Sequence, residues 1–171
     1  MGMGWVINRI RSVVAIKPPA VFISDWVTIP SHTADALDAN DAIGDEGKIR
    51  VPVSGMIQSA GLIDRDNEGS QIDVPLFDAI FAGAAGDVAF SLSDLDAQKL
   101  IITLKFATFD DNVNNQTSSL ENLGKAYRVA PMNKGSKVGW MYFQGIARGT
   151  PTIAVGSEPM VRVEILPDEP V

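Results

Sequence analysis

Short stretches in which apolar residues stand at every second position run through most of the chain. In 48–62, Ile49, Val51 and Val53 alternate with polar residues or proline, which is typical of a strand with one buried face. The pattern predicts strands over 21–29, 48–62, 71–77, 100–109, 126–129, 138–147 and 160–166, with a short one near Ala42-Ile43. About eight strands with at most one short helix predict an all-β, antiparallel jelly-roll-like sandwich, and another Greek-key sandwich is the alternative.

Turn-forming residues mark the connections between these strands. Gly55 predicts a bulge or bend within 48–62, and 64–69 reads as a solvated hairpin turn. Ser93 is placed to cap a single helical turn over 95–100. The polar stretch 110–124 predicts a loop.

The first 20 residues form a separate segment, so we divide the chain into an N-terminal arm (1–20), a β-sandwich (21–167) and a tail (168–171). Five aliphatic residues of the arm fall within about a 120° arc on a helical wheel, but they are β-branched, so a strand is the alternative. The arm either packs on its own domain or orders on a neighbouring subunit. The arm residues predicted to bind a partner are Trp5, Val6, Ile7, Arg9, Ile10, Arg11, Val13 and Val14.

Composition and charge narrow the range of partners. The 171 residues fit one domain, and with no cysteine and a single histidine, His32, thiolate and multi-histidine sites are excluded. The net charge is −7, yet 1–20 carries three cations and no acid, which leaves −10 on the rest. An acidic body predicts no nucleic-acid partner. No apolar run is long enough to cross a membrane, and arginines interrupt the N-terminal stretch, so we expect neither a membrane partner nor an export signal.

The acidic loops are weak candidates for chemistry. Residues 64–69 resemble the start of a calcium-binding loop, but Pro75 stands where the pattern requires a glutamate. Acids at 38, 41, 45 and 46 offer at most a weak divalent-cation site, and a solvated loop is the preferred interpretation. No catalytic, metal-binding or cofactor-binding set emerges, so the sequence predicts no enzyme and no cofactor. A sugar site lined by Trp5, Trp26 and Trp140 is an alternative function.

Several short strings, in a fixed order, resemble a group of small proteins encoded in the genomes of tailed bacteriophages. They are VSGMIQSA (53–60), DVPLF (73–77), SD (93–94), LGKAY (123–127) and ARGTPT (147–152), and the similarity runs from about 21 to 166.

This resemblance implies a jelly-roll capsid decoration, or cement, protein. Such a protein would be made in the host cytoplasm and then bind the outer surface of the phage head. Its partners would be the major capsid protein and further copies of itself, with which it would form a homotrimer. The turn at 149–152, with Arg148, Thr150 and Pro151 as its predicted contact residues, and the loop 110–124 are natural places for such contacts. The alternative is that both are plain connections between strands. A receptor- or carbohydrate-binding jelly roll and a neck or tail subunit are the alternatives.

Overall fold

The computed structural model describes residues 20–31 and 36–171. In this part of the chain the structure is almost entirely β. The elements are β1 (Phe22–Ile23), β2 (Val27–Thr28), β3 (Gly47–Pro52), β4 (Ser54–Asp64), β5 (Ile72–Phe77), α1 (Asp94–Ala97), β6 (Leu100–Phe106), β7 (Asp110–Asp111), β8 (Gln116–Leu120), β9 (Lys125–Arg128), β10 (Val138–Phe143), β11 (Ile146–Ala147) and β12 (Met160–Pro167).

The strands form two antiparallel sheets. The first sheet has the order β1-β12-β4-β8-β7, with β2 also on β12 and β9 also on β4. The second sheet has the order β11-β5-β10-β3, with β6 also on β5. In three places, two consecutive strands pair with the same neighbouring strand and therefore count as one interrupted strand. These are β1 and β2 on β12, β8 and β9 on β4, and β10 and β11 on β5.

Counted in this way, the sandwich has eight main strands, four in each sheet. Pairing joins the first with the eighth, the second with the seventh, the third with the sixth and the fourth with the fifth. The chain is thus one long antiparallel hairpin that turns between β5 and β6 and is rolled up across two sheets. This is the jelly-roll arrangement, so the predicted fold class is confirmed.

The core lies between the sheets, and β10 and β12 alternate strictly between buried and half-buried residues. In β12 the residues Val161, Val163 and Ile165 are fully buried, and their neighbours along the strand are half-buried on the outer face. The facing strands supply the other half of the core, in which the fully buried residues include Ile49, Val51, Val74, Leu76, Leu104, Phe106, Met141 and Phe143. Burial of each such side chain contributes about 1.5–3 kcal/mol.

Two details of the first strands differ from the prediction. The strand expected over 21–29 is interrupted at Ser24. The Ser24 amide donates to the Val163 carbonyl, but the Val163 amide donates to the Ser24 hydroxyl (3.0 Å) and not to a backbone carbonyl of the strand. The chain passes between the sheets at Val53, not at Gly55, and Gln58 is the extra residue of a bulge opposite β12. Gly55 instead permits close approach, since a Cβ there would lie 2.6 Å from the Leu166 carbonyl oxygen.

The loop predicted over 110–124 is also wrong, since it contains β7 and β8. The sequence of β8, QTSSL, is too polar to be recognised as a strand, yet Ser118 is buried in it. The turn at 64–69 exists, but it joins β4 in one sheet to β5 in the other. Asp64 at its start is buried and accepts hydrogen bonds from the amides of Asp66 and Gly69.

The predicted helical turn is confirmed in part. α1 is capped by Ser93, whose hydroxyl accepts from the Asp96 amide (3.1 Å), as expected. The helix ends at Ala97, because Leu100 already belongs to β6. None of the helices in the described ranges is long and apolar enough to cross a membrane.

Candidate interaction surfaces

The outer face of the second sheet carries an open groove of about 500 Å³. Its floor is formed by Trp140 and Tyr142, and its walls come from the loops that follow β5 and β9. We call it the second-sheet groove; it is lined by Asp78, Ala79, Ile80, Lys99, Ala130, Pro131, Met132, Trp140 and Tyr142. Most of these residues are apolar, so binding of another molecule that removes the groove from water would be favourable.

Alternation along β10 places the two aromatic rings in the groove. Met141 and Phe143 point into the sandwich, so Trp140 and Tyr142 point outward. The ammonium of Lys48, on neighbouring β3, lies 4.7 Å from the centre of the Trp140 ring. This cation–π contact holds the ring at one side of the groove.

The walls of the groove expose large apolar side chains. Ile80 is 68% exposed and Met132 is 40% exposed. The segment that carries Ile80 is nevertheless fixed, because the ring of Phe81 stacks on Phe77 with 3.9 Å between ring centres. The ammonium of Lys99 also donates to the Ile80 carbonyl (2.6 Å). Ile80 is thus presented by an ordered wall.

Helix α1 supports this wall through charge. Asp96 accepts hydrogen bonds from the Lys99 ammonium (2.8 Å) and from the Ser93 hydroxyl (2.8 Å). Both contacts favour the carboxylate and lower the pKa of Asp96, with the Lys99 contact the larger cause. The positive charge of Lys99 is therefore balanced within the wall. The exposed carboxylate of Asp78 forms no side-chain hydrogen bond or ion pair with another described residue.

A buried amide anchors the long connection between β5 and β6. Gln144 is fully buried; its amide nitrogen donates to the carbonyls of Gly44 and Ala84, and its oxygen accepts from the Ala84 amide (3.1 Å). Beside it, the Glu46 carboxylate accepts from the Gly83 amide (2.7 Å). The connection is thereby held against the body of the sandwich.

The predicted contact turn at 148–151 lies at the end of the sandwich opposite to the second-sheet groove. Arg148 forms an ion pair with buried Asp73 (2.8 Å) and also bonds Asn40, so its guanidinium holds the turn in place. Pro151 is buried, and its carbonyl accepts from the Leu37 amide (3.0 Å). Thr150 is exposed. Of the three predicted residues, only Thr150 therefore presents its side chain freely.

The two tryptophans in the described ranges, Trp26 and Trp140, do not share a site. Trp26 lies on the outer face of the first sheet, where the Arg162 guanidinium covers its ring at 4.6 Å and Gly61 leaves room for it. Trp140 lies on the outer face of the second sheet. The two rings are on opposite sides of the sandwich, so they cannot line one sugar site.

The acidic loops use their carboxylates internally. Asp66 accepts from the Ala154 amide (2.6 Å), and Asp41 accepts from the Asp38 amide (3.0 Å). Within 20–31 and 36–171, no three acidic or histidine side chains converge in a way that could hold a metal ion.

A second, polar groove of about 320 Å³ lies where the chain crosses between the sheets at Val53. Its charged residues are Arg128, Lys137 and Glu169, and Lys137 donates to the Pro170 carbonyl (2.8 Å). The C-terminal tail therefore forms part of the wall of this groove.

The predicted arm residues and His32 lie outside the described residues. No protein-family model, curated protein or solved structure matches this chain. The second-sheet groove could not be recognised in the sequence because four separate segments form it. One signal was present: 138–143 is apolar on both faces, which indicates that the outer face of this strand is also covered.

Proposed function

We propose that this chain is a structural virion protein, a decoration subunit that binds the outer surface of a phage head and stabilises contacts between major capsid subunits. The observation that carries the proposal is the second-sheet groove, a surface for another protein subunit of the particle, either the capsid protein or a further copy of this chain. It is open, apolar and built from an ordered wall, as a protein-binding surface is. The jelly-roll fold supports the proposal because viral capsid proteins commonly use it, although lectins do so as well.

The phage-like strings support the proposal in a restricted way. They fall on the frame of the sandwich: the crossing at Val53, strand β5, the Ser93 cap, the start of β9, and the turn after β11. Such positions specify how the sandwich folds. The strings therefore argue for a related fold and leave the partner-binding surface to be argued from its own chemistry.

Imaging of intact particles tests the proposal. Heads of the phage that encodes this chain, purified with and without the protein, should differ by density on the outer surface at symmetry-related positions. Heads that lack the protein should release their DNA at lower temperature, and adding the protein back should restore them. Density at the neck or tail, or none on the particle, would overturn the proposal.

A carbohydrate-binding module is the second candidate, because aromatic Trp140 and Tyr142 lie beside polar Asp78 and Lys99 in one groove. A glycan array separates the two functions. Strong sugar binding that Trp140→Ala abolishes and Trp26→Ala leaves unchanged, together with no binding to heads, would favour the carbohydrate-binding function.

A further inference from the structure

We propose that the second-sheet groove receives the apolar N-terminal segment, residues 5–14, of a second copy of this chain. The inference rests on the proposed function only in assuming that several copies assemble. It does not depend on where in the particle they do so. It assigns one occupant to the groove and makes the arm the link between subunits.

The first argument is chemical fit. The groove exposes Ile80 and Met132 beside two aromatic rings. Residues 5–14 contain one tryptophan and five aliphatic side chains, which are the groups that such a surface accepts. Of the two grooves described above, the second-sheet groove is the one that combines large exposed apolar side chains with an aromatic floor.

The second argument is charge. The segment 1–20 carries Arg9, Arg11 and Lys17 and no acid, whereas the rest of the chain has a net charge of −10. At the groove, Lys99 is already paired with Asp96 and Lys48 lies over the Trp140 ring. Asp78 is the carboxylate left to meet an arginine of the arm. Complementary charges of this kind fix the register of a bound segment.

The length of chain between the arm and the body favours a second copy as the source of the bound segment. The described chain starts at Ala20, just before β1 at the edge of the first sheet, whereas the groove lies on the outer face of the other sheet. Only 15–19 lie between the apolar stretch and this point, so Val14 and Ala20 are at most about 22 Å apart.

Disulfide trapping tests the inference, because the natural chain has no cysteine. One variant carries Ile10→Cys, and a second carries Met132→Cys in the groove. The two are mixed in solution under mild oxidation. We expect a cross-linked dimer of the two variants. The matched control replaces Met132→Cys by Val155→Cys, an exposed apolar position (78%) outside the groove, and should give little dimer.

Three results would overturn the inference. Equal trapping at Met132 and Val155, or none at either, would show that the groove does not receive the arm. A variant with both Ile10→Cys and Met132→Cys that closes only within one chain would show that the occupant is the protein's own arm. Loss of head binding in Ile80→Asp with self-association unchanged would assign the groove to the capsid protein instead.

Variants of the groove and the arm give an independent measurement. In sedimentation equilibrium, Ile80→Asp should weaken self-association by at least roughly tenfold, and Val155→Asp should leave it unchanged. Asp78→Arg should also weaken it, and Arg9→Asp with Arg11→Asp in the same chain should restore part of the loss. If the arm and groove fail these tests while the protein still coats heads, the inference is wrong and the proposed function stands.

Discussion

At the scale of single residues, one phenol secures the place where the chain crosses between the sheets. The Tyr127 hydroxyl donates to the Pro52 carbonyl (2.9 Å), next to the crossing at Val53. Tyr127→Phe leaves that buried carbonyl without its partner, so we expect a loss of about 1–3 kcal/mol in the free energy of unfolding. Urea unfolding measures this loss. Tyr142→Phe, on the half-exposed outer face, is the matched control and should cost less.

Tyr127 also predicts how the protein responds to alkali. Burial, with a smaller effect of the Asp168 carboxylate, raises the pKa of Tyr127 above its ordinary value. The neutral phenol is therefore favoured in the folded state, so its contribution is complete below about pH 10 and is lost as pH rises further. Tyr127→Phe should flatten this alkaline loss of stability. An unchanged alkaline slope in the variant would contradict the assignment.

Gln144 predicts a larger effect, since its amide satisfies three backbone groups. Gln144→Ala leaves the carbonyls of Gly44 and Ala84 and one amide without partners, so we expect a loss of about 3 kcal/mol or more. The exposed Gln98→Ala is the control and should change stability by less than about 0.5 kcal/mol. Because Gln144 anchors 84, hydrogen exchange in the variant should rise first over 82–90. A uniform rise across both sheets would contradict this local role.

At the scale of elements, α1 makes the stability of the groove wall depend on pH through the Asp96 carboxylate. Lys99 and Ser93 lower the pKa of Asp96, so the charged carboxylate stabilises the fold at and above the ordinary pKa of an aspartate, and the stabilisation is lost as pH falls below it. The stability difference between the natural chain and Asp96→Asn should therefore be present at neutral pH and disappear in acid. Carboxyl NMR of Lys99→Met should show the pKa of Asp96 returning towards its ordinary value.

The control for this prediction lies in the same turn. Asp94→Asn removes the same charge from an exposed position, and its effect should be smaller at neutral pH. Equal effects of the two variants would mean that the helix responds to net charge and not to the contact between Asp96 and Lys99.

Some of the elements could be predicted from the sequence, and others could not. Strands such as β3 and β12 were predictable because buried apolar residues alternate with charged ones along each of them. β8 was not, because its burial depends on small polar residues that fit only once β4 is beside them. The break at Ser24 and the crossing at Val53 likewise depend on partners far along the chain. The groove could not be predicted from the sequence, because Ile80, Met132 and Trp140 come together only after the strands have paired.

At the scale of the whole molecule, the division of charge between arm and body has a measurable consequence. Deleting 1–19 removes three cations and changes the net charge from −7 to −10. The eight main strands lie outside the deleted segment, so we expect a folded body with nearly the same melting temperature. Self-association should fall, because the apolar and cationic groups proposed to join the copies are gone. A body that fails to fold would show instead that the arm belongs to its own core.

Salt separates the two contributions of the arm. Raising ionic strength from about 0.1 M to about 1 M shortens the screening length from about 10 Å to about 3 Å, which suppresses exposed ion pairs and leaves apolar contacts in place. A variant with Arg9→Ser and Arg11→Ser should therefore associate more weakly than the natural chain at low salt and equally at high salt. Ile10→Ser should be weaker at both, because the buried apolar surface it removes is not screened. Sedimentation at the two ionic strengths makes the comparison, and an Ile10→Ser defect confined to low salt would contradict an arm held mainly by apolar burial.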